Sequence, residues 1–384
     1  MSQDSQQGPD TPGGSQDGAD AVAAVAVPCP VCGTPASAGE QFCESCGADL
    51  GAPVPPPEEQ APDPDAAPIE LTARTAPTGP PRADGVVVTS PDLAAVPATC
   101  TECGGTYAAD GYCQQCGNAA PRPRDHFVEN PAPWVGMVCD RGRRHARNED
   151  AGAVAARTEA GSWAAVVVCD GVSSAPDSDV ASLAAARAAR DVLAAPASSP
   201  AVTSEELLVR AAAAANTAAT RVAATVRGPN PPSCTFVAAV VEGGRAVAAW
   251  IGDSRAYWFP DGGPHQQVSV DDSWAAEAMA AHGLSREEAE KLPQAHAITR
   301  WLGADSPEGP PRTAQVDVTA PGWFLVCSDG LWNYCSAPED LGALVATTQA
   351  RVGAEPVALA EALTAWANEA GGHDNITVAL VRCG

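Results

Sequence analysis

Five aspartates in this chain share one kind of position. Asp150 follows Asn148-Glu149, Asp170 precedes Gly171, Asp253 follows Gly252, Asp329 precedes Gly330, and Asp374 follows Gly372-His373. Each is expected at the end of a strand or in the turn beside one, mostly against a glycine that allows close backbone approach. Carboxylates gathered in a partly dry site repel one another, so they are tolerable only if cations bind among them or protons neutralise them. Oxygen donors without a matching set of His or Cys favour Mg²⁺ or Mn²⁺ over Zn²⁺. Four carboxylates balance two divalent ions in charge, and two such ions about 3.5–4 Å apart form the clamp for in-line attack on phosphorus. A single Asp-Gly is most simply a turn. The ordered series is what asks for cations.

A second set of donors is of the opposite kind. Cys29, Cys32, Cys43 and Cys46 form two CxxC pairs, and Cys100, Cys103, Cys113 and Cys116 repeat the arrangement, with a glycine after each second cysteine. Two such knuckles bring four sulfurs together as a tetrahedron, the geometry of structural Zn²⁺, so two zinc ions per chain are expected. Disulfides or an iron site are the alternatives. Each segment is too short for a core of its own, so metal binding would supply its folding free energy. With four ligands in place the centre has no open position, and its role is structural or partner-binding. The other six cysteines, from Cys139 onward, stand singly and read as reduced core residues.

The elements that must position these groups divide the chain. Residues 1–27 read as a disordered tail, 28–50 as the first cysteine module, 51–98 as a Pro-rich linker, 99–120 as the second module, 121–133 as a short linker and 134–384 as one globular domain. In that domain 163–169 reads as a strand ending in Asp-Gly. Helices follow over 179–195 and, behind the capping box Thr203-Ser-Glu-Glu206, to about 226. Residues 235–241, 246–251 and 256–259 read as a three-stranded antiparallel meander. Short charged helices on a flap occupy 274–291, a strand 323–327, two helices 338–370, and a last strand 376–381. The fold class expected is α+β, an antiparallel sandwich with helical outer layers.

The 384 residues carry 47 acidic and 22 basic side chains, a net charge of −25. Residues 1–133 hold 18 of the acidic and 4 of the basic ones, so both regions are acidic. That balance argues against nucleic acid and against anionic membranes as partners. No apolar run approaches the roughly 18 residues of a membrane span, and the N-terminus does not read as a signal peptide, so a cytoplasmic location is expected.

In order along the chain stand Arg147-Asn-Glu-Asp150, Val168-Cys-Asp-Gly-Val172, Ile251-Gly-Asp-Ser-Arg-Ala-Tyr257, Ile298-Thr-Arg-Trp-Leu-Gly303, Leu325-Val-Cys-Ser-Asp-Gly-Leu331 and Gly372-His-Asp-Asn-Ile-Thr-Val378. This series resembles the metal-dependent protein phosphatases of the PPM, or protein phosphatase 2C-like, family over about residues 134–384. The resemblance implies a four-layer α-β-β-α sandwich of two antiparallel sheets flanked by helices, and the activity of a protein-serine/threonine phosphatase. It further implies that Asp170 bridges two Mn²⁺ or Mg²⁺ ions, that Gly171 gives a backbone carbonyl, that Asp150 holds one ion and that Asp329 with Asp374 holds the other. Asp253 would serve a weaker third ion. The implied nucleophile is a hydroxide between the two ions, the substrates phosphoserine and phosphothreonine in proteins, and the partners a Ser/Thr kinase or its targets. Asn375 would orient the neighbouring carboxylate. The cysteine segments resemble the double zinc ribbons of bacterial regulatory proteins, for regulation or partner binding.

The chain departs from that pattern where the family usually has a phosphate-gripping arginine, five residues before the first metal-binding aspartate. The residue here is His145, which offers fewer donors, with Arg144 and Arg147 as neighbours able to substitute. Ser173 and Ser174 stand where glycines are common, and Cys234 where a Gly or Ser is frequent. Two other readings follow from these residues: a catalytically impaired phosphoprotein-binding module or scaffold whose ribbons carry the function, and a phosphatase for small phosphate esters.

Overall fold

The computed structural model describes residues 27–28, 35–36, 85–93, 97, 99–100, 102–196, 201–226, 230–292, 294–307 and 309–384. The chain divides into two units, 1–58 and 59–384. In the first, the described residues are two short antiparallel strands, β1 (Val27–Pro28) and β2 (Pro35–Ala36). Residues 1–26, the cysteines Cys29, Cys32, Cys43 and Cys46, and residues 51–84 of the expected linker lie outside the described residues.

The second unit is built on two six-stranded sheets. One places β3 (Val86–Val88), β6 (Ala151–Arg157), β7 (Ala164–Cys169), β9 (Phe236–Glu242), β10 (Arg245–Ile251) and β14 (Arg312–Asp317) side by side in that order. The other runs β4 (His126–Ala132), β5 (Val135–Asp140), β16 (Ile376–Cys383), β15 (Gly322–Cys327), β11 (Arg255–Pro260) and β12 (Gln266–Gln267). Every pairing is antiparallel. A small ladder joins β8 (Ser233–Cys234) to β13 (Leu302–Gly303). The facing sides of the sheets share a core that includes Met137, Val154, Val166, Val237, Trp250 and Phe324. Sheets that pack face to face must be apolar on both sides when helices cover their outer faces, and the central strands are buried along their length.

Helices α1 (Ser178–Leu193) and α2 (Ser204–Ala223) cover the first sheet through a stripe of small residues, Ala181, Ala185 and Ala189 on α1 and Ala211 and Ala215 on α2. The expected capping box at Thr203 and Glu206 is formed in both directions. On the other sheet lie α6 (Pro338–Val352) and α7 (Pro356–Ala370), packed through Leu341, Val345, Leu359 and Leu363. The short α5 (Asp329–Trp332) follows β15, and α3 (Trp274–His282) with α4 (Arg286–Glu290) makes the small flap. This is the sandwich of two antiparallel sheets between helical layers that the sequence led us to expect.

Two expectations change. The segments expected as linkers carry sheet strands, β3 within 51–98 and β4 filling most of 121–133, because each finds an open strand edge to pair with. Residues 235–241, 246–251 and 256–259 do not form a single meander: β9 and β10 are neighbours, but β11 belongs to the opposite sheet. Gly252 sits at φ +101°, a conformation closed to most side chains, and an added Cβ there would stand 2.9 Å from Thr235. That glycine lets the chain leave one sheet and enter the other, which puts Asp253 at the corner between them. Among the described residues no helix is long and apolar enough to cross a membrane.

Candidate metal-dependent active site

The two sheets deliver their aspartates to one place. Asp150 immediately precedes β6, Asp170 follows β7, and Asp253 lies on the crossing from β10 to β11. Asp329 opens α5 behind β15, and Asp374 stands two residues before β16. Asp170 is the centre of the group: burial and then the charges of Asp150, Asp329, Asp374 and Asp253 push its carboxyl well above the usual range. Asp329 is raised in the same way, by burial and then by Asp374, Asp253 and Asp150. Burial, above all, lifts Asp150 to about 6 and, with Asp271 beside it, Asp253 to about 7. Five chain-distant carboxylates whose charges act on one another form a site that a cation would relieve.

Hydrogen bonds fix these carboxylates without filling them. Ser328 and Thr377 both donate to Oδ2 of Asp150, at 2.6 and 2.7 Å, while its Oδ1 is buried with no partner. Asn333 donates to Oδ2 of Asp329 at 3.0 Å, and Oδ1 of Asp329 is likewise buried and unpartnered. Thr235 holds Asp170 by its backbone, accepting from its amide through Oγ1 at 3.0 Å and donating N–H to its carbonyl at 2.7 Å. Two buried, orphaned carboxylate oxygens in an all-oxygen donor set fit hard divalent ions such as Mg²⁺ or Mn²⁺.

The loops carrying the acids are knitted together through backbone. A Cβ on Gly142 would lie 2.1 Å from the Asp374 carbonyl oxygen, and one on Gly330 would lie 2.0 Å from that of Asn375. Gly171 approaches the Glu149 carbonyl, 2.7 Å from where its Cβ would be. Asn375 works mainly on the opposing loop: its Oδ1 accepts from the Glu149 amide at 2.7 Å and its Nδ2 donates to the carbonyls of Arg141 and Arg147.

The three residues singled out for phosphate binding take different positions. His145 is nearly buried, with Nε2 3.3 Å from Oδ1 of Asp374 and Nδ1 3.7 Å from Glu149. Burial lowers its pKa, but Glu149 and Asp374 outweigh that and raise it overall. Arg147 is turned to Glu149, 2.7 Å from Nη2 to Oε1. Arg144 is exposed and donates its backbone N–H to the Gly372 carbonyl at 3.2 Å. The structure therefore brings His145 to the acidic cluster and commits Arg147 to a neighbouring ion pair.

Four residues, three of them inside the quoted motifs and Thr235 beside Cys234, have parts in the site that reading by type overlooked. Ser328 and Thr377 brace Asp150, Thr235 braces Asp170, and Glu149 is a buried hub. Burial raises the Glu149 pKa, yet hydrogen bonds from His145, Ser178, Ser173 and Arg147 bring it down to about 2. The available signal was adjacency: each of the four stands within three residues of an aspartate or paired motif strand.

Among the described residues the second cysteine segment also forms a cluster. Sγ of Cys100 lies 3.6 Å from that of Cys116, Sγ of Cys103 lies 3.5 Å from that of Cys113, and all four ligand atoms fall within 4.8 Å of one another. Gly104 and Gly117, each after the second cysteine of its pair, adopt φ +74° and +75°. They allow turns in which Gly104 N–H bonds Cys100 O and Gly117 N–H bonds Cys113 O. A tetrahedral centre with Zn–S bonds of about 2.3 Å places its sulfurs roughly 3.8 Å apart, and this spacing fits it.

The two-sheet sandwich thus carries acidic residues from both sheets toward one another, a donor set that suits hard divalent cations. Residues 141–367 match the family described as protein phosphatase 2C, and the chain belongs to that family. Protein phosphatase PhpP of Streptococcus pneumoniae is 37% identical over 138 residues, which cover 36% of this chain and 52%, about half, of that protein. Serine/threonine phosphatase stp of Listeria monocytogenes is 30% identical over 247 residues, 63% of this chain and 92% of that one. The crystal structure of the Mycobacterium tuberculosis serine/threonine phosphatase PstP/Ppp is similar at a TM-score of 0.52 and 27% identity, covering 67% of this chain and 98% of that one. A catalytic domain of PstP in complex with two manganese ions is similar at 0.50 and 25%, covering 67% and 100%.

Proposed function

We propose that this protein removes phosphate from phosphoserine and phosphothreonine in proteins, with two Mn²⁺ or Mg²⁺ ions held at the aspartate cluster. The observation that carries the reading is buried Asp170 held within the field of four other carboxylates, two of which keep a buried oxygen without a hydrogen-bond partner. Asp170 with the Gly171 carbonyl, Asp150, Asp329 and Asp374 would hold the ions, and Asp253 a third. When bound, such ions lower the pKa of water and neutralise charge on a phosphoryl group. The chain's own residues hold the carboxylates: Ser328 and Thr377 keep Asp150 oriented, and Asn375 locks the 141–149 loop beside Asp374. Substrates are then phosphoproteins, and the kinase that makes them is the expected functional counterpart. The test is release of phosphate from a phosphopeptide with Mn²⁺, compared with Asp329→Asn. Turnover in the parent and a loss of about 10³-fold or more in the variant is expected; equal rates in both would overturn the reading.

A second reading has its own observation. His145, 3.3 Å from Asp374, is already engaged with Asp374 and Glu149, which favours a weakened domain that binds phosphoproteins rather than turning them over. Tight phosphopeptide binding without phosphate release at saturating Mn²⁺ would select it.

We infer also that Cys100, Cys103, Cys113 and Cys116 hold a structural Zn²⁺. Sulfur spacing and the glycine turns support this. The chain should yield zinc that is released by cysteine alkylation, and its absence would remove the assignment.

A further inference from the structure

The segment expected to be the end of a linker is seated on the phosphatase sheet. Val86, Val87 and Val88 of β3 pair antiparallel with Arg157, Ala156 and Ala155 of β6, and Val86 is buried. Beyond the strand, Arg190 of α1 donates from Nη1 to the Thr89 carbonyl and to Ser90 Oγ, both at 2.9 Å, and Arg187 donates to the Pro91 carbonyl at 3.3 Å. Thr89 donates to the buried carboxylate of Glu129, which also accepts the amide of Val154 in β6. Leu93 packs against the core between the sheets.

The chain then passes through the cysteine module and returns to the same helix. Arg124 donates from Nη2 to the Asp179 carbonyl at 2.9 Å and to Ser182 Oγ at 3.3 Å, in the first turns of α1, and its own carbonyl accepts from Asn148. Residues 89–124 are thus a loop with both feet on α1. Ser178 and Ser182 in the first turns of that helix also donate to Glu149, beside Asp150.

We propose that the Cys100/Cys103/Cys113/Cys116 module is a metal-closed clasp that keeps residues 85–93 on the open edge of β6. The inference rests on the reading of these cysteines as a metal site. A bound ion cross-links the middle of the loop and roughly halves the free chain between Leu93 and Arg124. Loop-closure scaling then raises the local concentration of the strand at its edge about threefold, before any stiffness of the folded module is added. The strand covers the backbone edge that β6 would otherwise present to solvent, and the residues after it supply the acceptors for Nη1 of buried Arg190, whose Nε and Nη2 go to Asp191. Metal at the cysteines is in this way connected, through α1 and β3, to β6, the strand that Asp150 immediately precedes.

The test is amide hydrogen exchange on the full chain with Mn²⁺ present throughout, comparing the parent with Cys103→Ser/Cys116→Ser, together with the zinc content of each. Loss of zinc with exchange at least about threefold faster in 85–93 and 155–157, and unchanged in β15 and β16, is the expected result. Loss of zinc with unchanged exchange in 85–93 overturns the clasp and leaves the metal reading standing. Equal zinc in parent and variant overturns both. If the double variant fails to fold, the same exchange is measured on the parent after zinc chelation and restoration of Mn²⁺, where unchanged exchange in 85–93 again overturns the clasp.

Discussion

The aspartate cluster and the cysteine cluster are both shaped for cations, and they are built in opposite ways. The cysteines come from one stretch of 17 residues, from Cys100 to Cys116, on two turns whose backbone bonds close locally. The aspartates come from positions 150 to 374 and meet only because two sheets pack. In the first case the metal makes the fold; in the second the fold makes a costly concentration of charge that a metal then relieves. Removing an aspartate should therefore raise metal-free stability, whereas removing a cysteine should lower the stability of the zinc-bound protein.

Asp170→Asn gives the largest effect and the sharpest contrast. It removes the carboxylate that all four others oppose, so turnover should fall by about 10³-fold or more while the melting temperature without divalent ions rises. The stabilisation that Mn²⁺ gives the parent should shrink in the variant. Cys113→Ser should do the reverse, lowering stability in the zinc-bearing protein without raising it anywhere. Melting curves with and without each metal decide it; a metal-free Asp170→Asn no more stable than the parent would show that the cluster is not under repulsion.

The same contrast explains what could be read in the sequence. Local features were legible: the knuckle glycines Gly104 and Gly117, the capping box at Thr203, and strand β7 running into Asp170. The convergence of five distant aspartates was legible only as an ordered series, since nothing in an isolated Asp-Gly distinguishes a ligand from a turn. The side of the sandwich on which β11 falls was not legible, because Gly252 permits either a hairpin or a crossing and packing decides between them. Strand β3 was hidden for a related reason: Val86-Val-Val88 sits in Pro-rich surroundings and gains its structure from the open edge of β6 and from Arg187 and Arg190.

A smaller effect, on pH dependence, tests the anchoring of β3. Glu129 is pushed up to about 7 by burial, against the pull of Arg190 4.0 Å away and of its hydrogen bonds. Its folded pKa lies above the unfolded value near 4.5, so the folded state binds the proton more tightly. The sign follows: Glu129 makes the native state relatively more stable as pH falls from about 7 toward 4.5, and the cost is fully present above 7. The amplitude is of the order of 3 kcal/mol at most. Glu129→Gln should flatten this part of the stability curve relative to the parent, as read by denaturant midpoints between pH 5 and 8. Parallel curves for the two proteins would mean that Glu129 keeps an ordinary pKa.

The smallest effect concerns His145, an imidazole at the edge of the aspartate cluster. Its two ring nitrogens face Asp374 and Glu149, so it has little left to offer a phosphoryl oxygen. A guanidinium at the same place has five N–H groups and can satisfy the flanking carboxylates while presenting a bidentate edge outward. His145→Arg should lower KM for a phosphopeptide by about tenfold, the worth of one charge-assisted contact of about 1.4 kcal/mol, with kcat nearly unchanged. Arg147 is the control: its pairing with Glu149 predicts that Arg147→Lys leaves KM within about twofold. If Arg147→Lys raises KM strongly while His145→Arg leaves it alone, the phosphate is gripped by Arg147, and the histidine serves only to hold Asp374 in the cluster.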